Sequence, residues 1–462
     1  MRRVCDEPVV RLTERVSGAR PGKDRIRVAF VWADDRRCVG SVSGMPYAMA
    51  CALESVGVEV VDVFSPERGS RRGRWGAAIR RALPEPVSRS AAQMRHVVRN
   101  WTERQQRAEC ERAMTQDAME RSERLGALVR PLEVDLVFGC CASTSLCNLR
   151  VDVPIVYFSD ATAKLINASY PKYCRRSEAY RSACDRIEEF ALKNVTYTAF
   201  ASEWARGSAV ADYGVSRSAS AVVPMGAHIT PADLDGPARH RAPPSRECLR
   251  ICVIAADPVR KRTDFAVCVV EQLNQKGWNV RLDLVGPATR RAKASRCCHT
   301  LGTLKLDGPR DRARLASTLS QSHLLLLPSL AEAFGIAVCE AAHFGAPAIV
   351  SDAGGLPEAV RNDHTGLVVS GPVDASVYAN VILQLVSDAG RFARMGKAAS
   401  ARATRELNWN HWARKMVEIF KRAIQLKKRG PQTHPASTRD RAGVVVLAKK
   451  RPEQDSNLRP AV

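Results

Sequence analysis

The chain has 15 cysteines but no C-x-x-C and no paired-knuckle spacing; they fall singly or as the adjacent pairs Cys140–Cys141 and Cys297–Cys298. That argues against a structural zinc site. The first 25 residues are charged throughout and lack an apolar core, so they are no secretory signal. An odd cysteine count without such a signal reads as reduced thiols in cytoplasm. No run reaches the roughly 18 apolar residues that span a bilayer. No strand is followed by G-x-G-x-x-G, which argues against a dinucleotide oxidoreductase. Aromatics make up only 6% of the chain and are not interleaved with its basic runs. Stacking platforms for single-stranded nucleic acid are therefore poorly supported.

What is present is a long, basic, globular chain. Its 462 residues suggest two domains of roughly 200 residues each. Hydrophobic content of 45% and charged content of 26% allow a large core. The net charge of +23 suits nucleic acid, an anionic membrane or a phosphorylated substrate.

Apolar runs alternate with helical periods twice over. "IRVAFVWA" (26–33), a glycine-bearing loop, "MPYAMACALESVG" and "VEVVDVF" (58–64) form a β-loop-α-β unit. Residues 66–130 are arginine-rich and read as helical. Strands follow at 134–140, 154–159 and 195–202, with helices at 180–194 and 202–214, the last closed by Gly214. Residues 229–249 are rich in Pro, Arg and Asp and read as a linker; Asp233-Leu234-Asp235 within it is not read as a metal motif. A second series runs through strands at 250–256, 280–286, 323–329 and 347–351, with helices at 264–277, 312–322, 335–344 and from Pro357. A last amphipathic helix covers 404–426. The pattern is α/β, with two facing, doubly wound, Rossmann-like domains.

One stretch stands out. "EAFGIAVCEAAHFGAPAIVSDAGGLPEAV" (332–360) is small and apolar, yet carries Glu332 and Glu340 eight positions apart. Glu332 follows the strand end "LLLLPSLA", and ligands in open α/β sheets bind at the carboxyl ends of strands. Phe334-Gly335 opens a helix whose free amides form an anion site. Glu340 lies on that helix. Gly354-Gly355 let backbone approach a ligand closely, and Pro357 suits the start of another helix. Helix ends favour an anion and carboxylates repel it. A long ligand resolves the conflict: amides take phosphates while carboxylates accept sugar hydroxyls. A nucleotide-sugar has a sugar at each end of a diphosphate. Glu358, in a helix first turn, reads as a dipole-favourable charge rather than a ligand. His323 and His343 read as structural.

Glu332-x7-Glu340, "EAFG", "EAAHFGAP" and "GGLPEAV…HTGLVV" resemble family 4 of the retaining glycosyltransferases, which have the GT-B fold. "SGMPYAMACAL", "YFSDAT", "ASEWARGSAVADYGV", "VVPMGAH", "DPVRKRTDFAVCVVEQLNQKG" and "WNHW" extend the likeness over about 26–426. The resemblance implies a basic leader at 1–25, expected to be disordered, and an acceptor-side domain at 26–228. The linker at 229–249 would lead to a nucleotide-sugar donor domain at 250–403. A helix at 404–426 would cross back to the first domain, ahead of a basic disordered tail at 427–462.

It also implies roles. Glu332 would contact the transferred hexose, and Phe334, Gly335 and Ile336 would offer amides. Glu340 would hold the ribose, with Gly354 and Gly355 beside the donor. Arg260 and Lys261 would neutralise the diphosphate. Gly44 would approach the phosphates from the first domain, or serve only packing. Asp160 would lie on the acceptor side, or cap the following helix. The implied activity is metal-independent, cofactor-free hexosyl transfer with retention to an unidentified hydroxyl, in cell-surface polysaccharide or glycoconjugate synthesis. The implied location is cytoplasmic, with peripheral contact at an anionic membrane as a further expectation and nucleic acid disfavoured. The other reading is a noncatalytic GT-B-like scaffold that binds nucleotide or nucleic acid. Two departures stand out: Arg262-Thr263 occupy positions where relatives usually have glycines, and Ala256 stands where many have arginine.

Overall fold

The structure, a computed structural model, describes residues 9–12, 25–32, 44–64, 90–236, 242–371 and 374–428. Two sheets organise it. The first contains β1 (Val9–Leu12), β2 (Arg27–Trp32), β3 (Glu59–Phe64), β4 (Leu136–Cys140), β5 (Ile155–Ser159), β6 (Tyr197–Phe200) and β7 (Ser220–Val222), in the order β1-β3-β2-β4-β5-β6-β7. The second contains β8 (Leu249–Ile254), β9 (Val280–Val285), β10 (Cys298–Gly302), β11 (Leu324–Leu327), β12 (Ala348–Ser351) and β13 (Gly366–Val369), in the order β10-β9-β8-β11-β12-β13. Every pairing is parallel except that of β1 with β3. Strand order reverses beside β2 in one sheet and β8 in the other, which places a crevice at their carboxyl ends. This is the GT-B arrangement.

The central strands are apolar because helices cover both of their faces. β4, β5 and β11 are buried at every residue. The helix Trp409–Lys428 packs onto the first domain: Trp412 meets Phe158 at 5.5 Å and 85°, and Phe420 meets Phe138 at 5.4 Å between ring centroids. Offset and edge contacts of this kind suit aromatic quadrupoles.

Several elements differ from the sequence expectations. The leader is not wholly unstructured, since Val9–Leu12 pairs with β3, Val9 opposite Phe64 and Leu12 opposite Val61. Three apolar residues around one arginine complete an otherwise open sheet edge. The arginine-rich segment is helical over Ser90–Val129, while 65–89 lies outside the described residues. The last helix starts later, because Ala389–Arg405 is a separate helix and Asn408 accepts from the His411 amide at 2.8 Å to start the next. It also runs on through Lys427 and Lys428, against the disordered tail expected from 427; the rest of the tail lies outside the described residues. The segment from Pro357 is a single turn, Leu356–Ala359. The linker is pinned to the second domain: Arg312 donates to Asp233 Oδ1 at 2.8 Å and to the His228 carbonyl at 2.7 Å. Asp233 also accepts from the Thr230 amide at 2.9 Å, so it serves a turn. None of the thirteen cysteines among the described residues forms a disulfide.

Candidate active site

The crevice is built from loops at the carboxyl ends of β8, β11 and β12 in the second domain and of β4, β5 and β6 in the first. After β8, Asp257 organises a turn by accepting from the Val259 and Arg260 amides at 3.2 and 3.1 Å. The turn carries Arg260 and Lys261 and ends at Arg262, which caps the helix Thr263–Gln275 at φ 51°, ψ 50°. That left-handed conformation suits glycine and costs another residue about 1–2 kcal/mol. Arg262 offsets part of it by lying over the Phe265 ring, its guanidinium carbon 3.8 Å from the centroid.

Glu332 follows β11. Arg260 Nη1 donates to its Oε2 at 2.9 Å and to the Ala331 carbonyl at 2.8 Å, and Lys261 Nζ donates to the same Oε2. Burial would raise the pKa of Glu332, but Lys261 and Arg260 outweigh it and hold the carboxyl below its usual range. Gly354 and Gly355 fix this loop from beneath. Gly355 donates to the Glu332 carbonyl at 3.0 Å. A β-carbon at 354 would lie 2.0 Å from that carbonyl oxygen, and one at 355 would lie 2.1 Å from that of Ala333. The close backbone approach expected toward a ligand is thus made toward the Glu332 loop itself.

Gly335 caps the helix Ile336–His343 at φ 105° without any side-chain cap, and its carbonyl accepts from the Val338 amide at 2.9 Å, so the Ile336 and Ala337 amides are the first-turn donors without a partner inside the helix. A β-carbon there would meet Leu356 at 2.7 Å. Phe334 is in the core and Ile336 is half-buried. Glu340, on the same helix, is 4% exposed. Burial raises its pKa to about 8, against the His228 backbone hydrogen bond and the more distant Arg312 and Lys261. The two glutamates therefore differ: near neutral pH Glu332 is ionised and Glu340 keeps its proton.

From the first domain, Asp160 sits at the end of β5, with Cys141 Sγ 3.9 Å from its Oδ1. Burial, with a smaller contribution from Glu332 across the crevice, raises Asp160 to about 6. It does not cap the following helix; Thr162 does, accepting from the Leu165 amide at 3.4 Å. Gly44 caps Met45–Ser55 at φ 78°, and residues 41–43 before it lie outside the described residues.

Sequence reasoning missed two contacts here. Glu358 accepts from the Glu203 and Trp204 amides at 2.6 and 2.7 Å, so it does favour a helix N-terminus, but that of Glu203–Tyr213 in the other domain. Tyr170, from the first domain, lies against Arg260, its ring centroid 5.2 Å from the guanidinium carbon. Neither contact has a periodic signal in sequence. His323 and His343 bridge backbone: the first accepts from the Arg250 amide at 2.9 Å, and the second faces the Leu407 carbonyl at 3.4 Å.

Residues 244–402, which hold all these second-domain groups, match the family described as Glycosyl transferases group 1. The match covers the second domain. Curated relatives include a D-inositol 3-phosphate glycosyltransferase of Streptomyces coelicolor, 34% identical over 126 residues, and one of Stackebrandtia nassauensis, 35% identical over 131 residues. The aligned stretches cover 27% and 28% of this chain and span only 27% and 29% of those relatives. The fold extends further. A sucrose-phosphate synthase from Thermosynechococcus elongatus aligns over 87% of this chain and 100% of its own, with TM-score 0.58 and 15% identity. A glycosyltransferase from Rickettsia africae aligns over 87% and 99%, with TM-score 0.56 and 15% identity. The glycosyl transferases group 1 match thus contains Arg260, Lys261, Glu332, Glu340 and Glu358, whereas Gly44, Asp160 and Tyr170 lie outside it.

Proposed function

We propose that the chain is a retaining glycosyltransferase that moves a hexosyl unit from a nucleoside diphosphate sugar to an acceptor hydroxyl. The observation that carries this reading is the ionised Glu332 held between Arg260 and Lys261, with Asp160 facing it from the other domain. In the reaction the bond from sugar C1 to the diphosphate breaks and its electron pair leaves with the diphosphate. A bond from C1 to the acceptor oxygen forms on the same face, and the acceptor proton passes to the departing phosphate. The charge that must be stabilised is on that phosphate. A lysine has three donors and an arginine five, so both cations can serve phosphate without releasing Glu332. Amides of Phe334, Gly335 and Ile336 add to the site. Glu332 contacts the hexose, Glu340 the ribose, Gly44 approaches from the first domain, and Asp160 receives the acceptor. Gly354 and Gly355 act through the backbone that carries Glu332.

Two cations at the leaving group also support a reaction without a divalent metal. Calorimetry with UDP-, GDP- and ADP-sugars, with and without chelator, tests this. Strict dependence on magnesium or manganese sinks the mechanism, and binding of none favours the scaffold reading. The split between the carboxylates is a sharper test. Glu340→Gln should weaken donor and free nucleotide alike. Because Glu340 keeps its proton near neutral pH, its hydrogen bond to the ribose is a neutral one, worth roughly 0.5–1.5 kcal/mol, or about 2- to 13-fold. Glu332→Gln should leave free nucleotide affinity nearly unchanged and reduce turnover.

The acceptor belongs to polysaccharide or glycoconjugate synthesis at a cytoplasmic membrane face, a reading supported by the net charge of +23. No helix among the described residues is long and apolar enough to cross a membrane. Flotation with anionic against neutral vesicles tests peripheral attachment; equal recovery on both removes it.

A further inference from the structure

Tyr170 is fixed by its neighbours along the chain. It closes the helix Ala163–Ser169 and precedes the turn Pro171–Cys174, with extended backbone at φ −87°, ψ 119°. Pro171 favours that conformation in the residue before it. The Tyr170 amide donates to the Ile166 carbonyl at 3.1 Å, and its own carbonyl accepts from Tyr173 and Cys174 at 2.8 and 3.0 Å. The first domain also anchors the helix it ends: Thr162 Oγ1 meets Ser208 Oγ at 2.7 Å, and Lys164 pairs with Asp212 at 2.7 Å. The side chain therefore projects across the crevice from a rigid base.

Its target is Arg260. The guanidinium carbon lies 5.2 Å from the Tyr170 centroid. The same guanidinium is held by the Ala331 carbonyl and Glu332, and the Arg260 carbonyl accepts from the Leu330 amide at 2.8 Å. Hence the edge of the cation is fixed by the second domain and its face by the first. Burial, with Glu332 and Asp160 nearby, raises the phenol's pKa, so the ring over the cation stays neutral.

We propose that Tyr170 is a positioning residue for the leaving-group cation: its ring, supplied by the first domain, sets the Arg260 guanidinium toward the diphosphate. This rests on the glycosyl-transfer reading above. It ties stabilisation of the departing charge to engagement of the two domains, because no second-domain residue supplies that ring.

The charge on the terminal phosphate grows as the sugar leaves, so the contact counts for more in the transition state and in the free nucleoside diphosphate than in the bound donor. Replacing Tyr170 by Leu in the full chain should lower kcat, measured as nucleoside diphosphate released from UDP-glucose, GDP-mannose or ADP-glucose. A lost cation–π contact predicts roughly 3- to 30-fold. KM for the donor should change less than about twofold. The dissociation constant of the nucleoside diphosphate should rise in step with the loss in kcat, while that of the monophosphate, which lacks the terminal phosphate, should stay put. Tyr170→Phe, which keeps the ring, should match the wild type. In an Arg260→Gln background, which has no cation for the ring to hold, Tyr170→Leu should cost nothing further. If Tyr170→Leu does not fold, Tyr170→Met keeps the bulk and should show the same losses.

The proposal is overturned if Tyr170→Leu turns over like the wild type, if mono- and diphosphate weaken equally, or if Tyr170→Phe is as impaired as the Leu variant. A wild-type chain that binds none of these nucleotides and releases no diphosphate brings down the glycosyl-transfer reading itself, and the role of Tyr170 with it.

Discussion

Glu332 and Glu340 lie eight residues apart, both largely shielded from water, and end in different protonation states. Each pays a desolvation cost. At Glu332 two cations touch the same carboxylate oxygen, and the net shift is down. At Glu340 the direct donor is the His228 backbone, and the pKa rises to about 8. Burial alone does not decide a carboxylate; the donors that reach it do. Lys261 acts on both, by contact at Glu332 and at longer range at Glu340.

The largest expected effect breaks the Glu332 side. Lys261→Met leaves a buried carboxylate with one cation instead of two. Removing one partner of a buried ion pair costs about 3–5 kcal/mol, and Arg260 should hold the loss near the lower end. Urea unfolding at pH 7 measures it. Adding Glu332→Gln should recover part of the loss, because the uncompensated charge goes with it.

The pH dependence sharpens the comparison through two slopes of opposite sign. Glu332 titrates below its unfolded value, so its contribution to stability is present above that value and is lost as pH falls through the folded pKa. Glu340 keeps its proton up to about pH 8 when folded but releases it from about pH 4.3 when unfolded. Stability attributable to Glu340 thus declines as pH rises across that window. Glu340→Gln should abolish the decline, gaining about 1.4 kcal/mol for each pH unit between the two titrations once pH exceeds both. Unfolding free energies at pH 5 and pH 8 test it. A variant no more stable than wild type at pH 8 would show that Glu340 is ionised after all.

The smallest effect comes from a third carboxylate. Glu358 accepts two backbone amides from the other domain. Glu358→Ala should cost about 1 kcal/mol, as for loss of a helix cap. It should also enlarge the radius of gyration in small-angle scattering. Unchanged dimensions would mean that this contact does not hold the domains together.

Much of the second domain was legible in sequence because its signals are local. Four consecutive leucines bounded by Ser322-His323 and Pro328-Ser329 read as a buried strand, and the glycines at 335, 345 and 354 stand at turns with positive φ. Two carboxylates in such a stretch ask for partners, and the basic turn at 260–261 supplied them for Glu332. The partners of Glu358 and Tyr170 were not legible. They lie 155 and 90 residues away in the chain, and no periodicity links a carboxylate to an amide on another domain. Arg262 reads in sequence as a departure from glycine, but the sequence carries no sign that the backbone there keeps its left-handed form. β1 was hidden because four residues amid charge carry too little pattern to read.

The helix Trp409–Lys428 has a consequence for how the protein is made. Trp412, Met416 and Phe420 fill the same core as Phe30, Met49, Phe138 and Phe158. A ribosome delivers the first domain's strands long before it delivers these three side chains. Domains generally begin folding from the N-terminal side during synthesis. Here the earlier domain waits, its aromatic cluster open, until the other domain has been translated. A message cut short between the two would release a first domain with an uncovered apolar face, suited to capture by chaperones or to aggregation rather than to an independent existence.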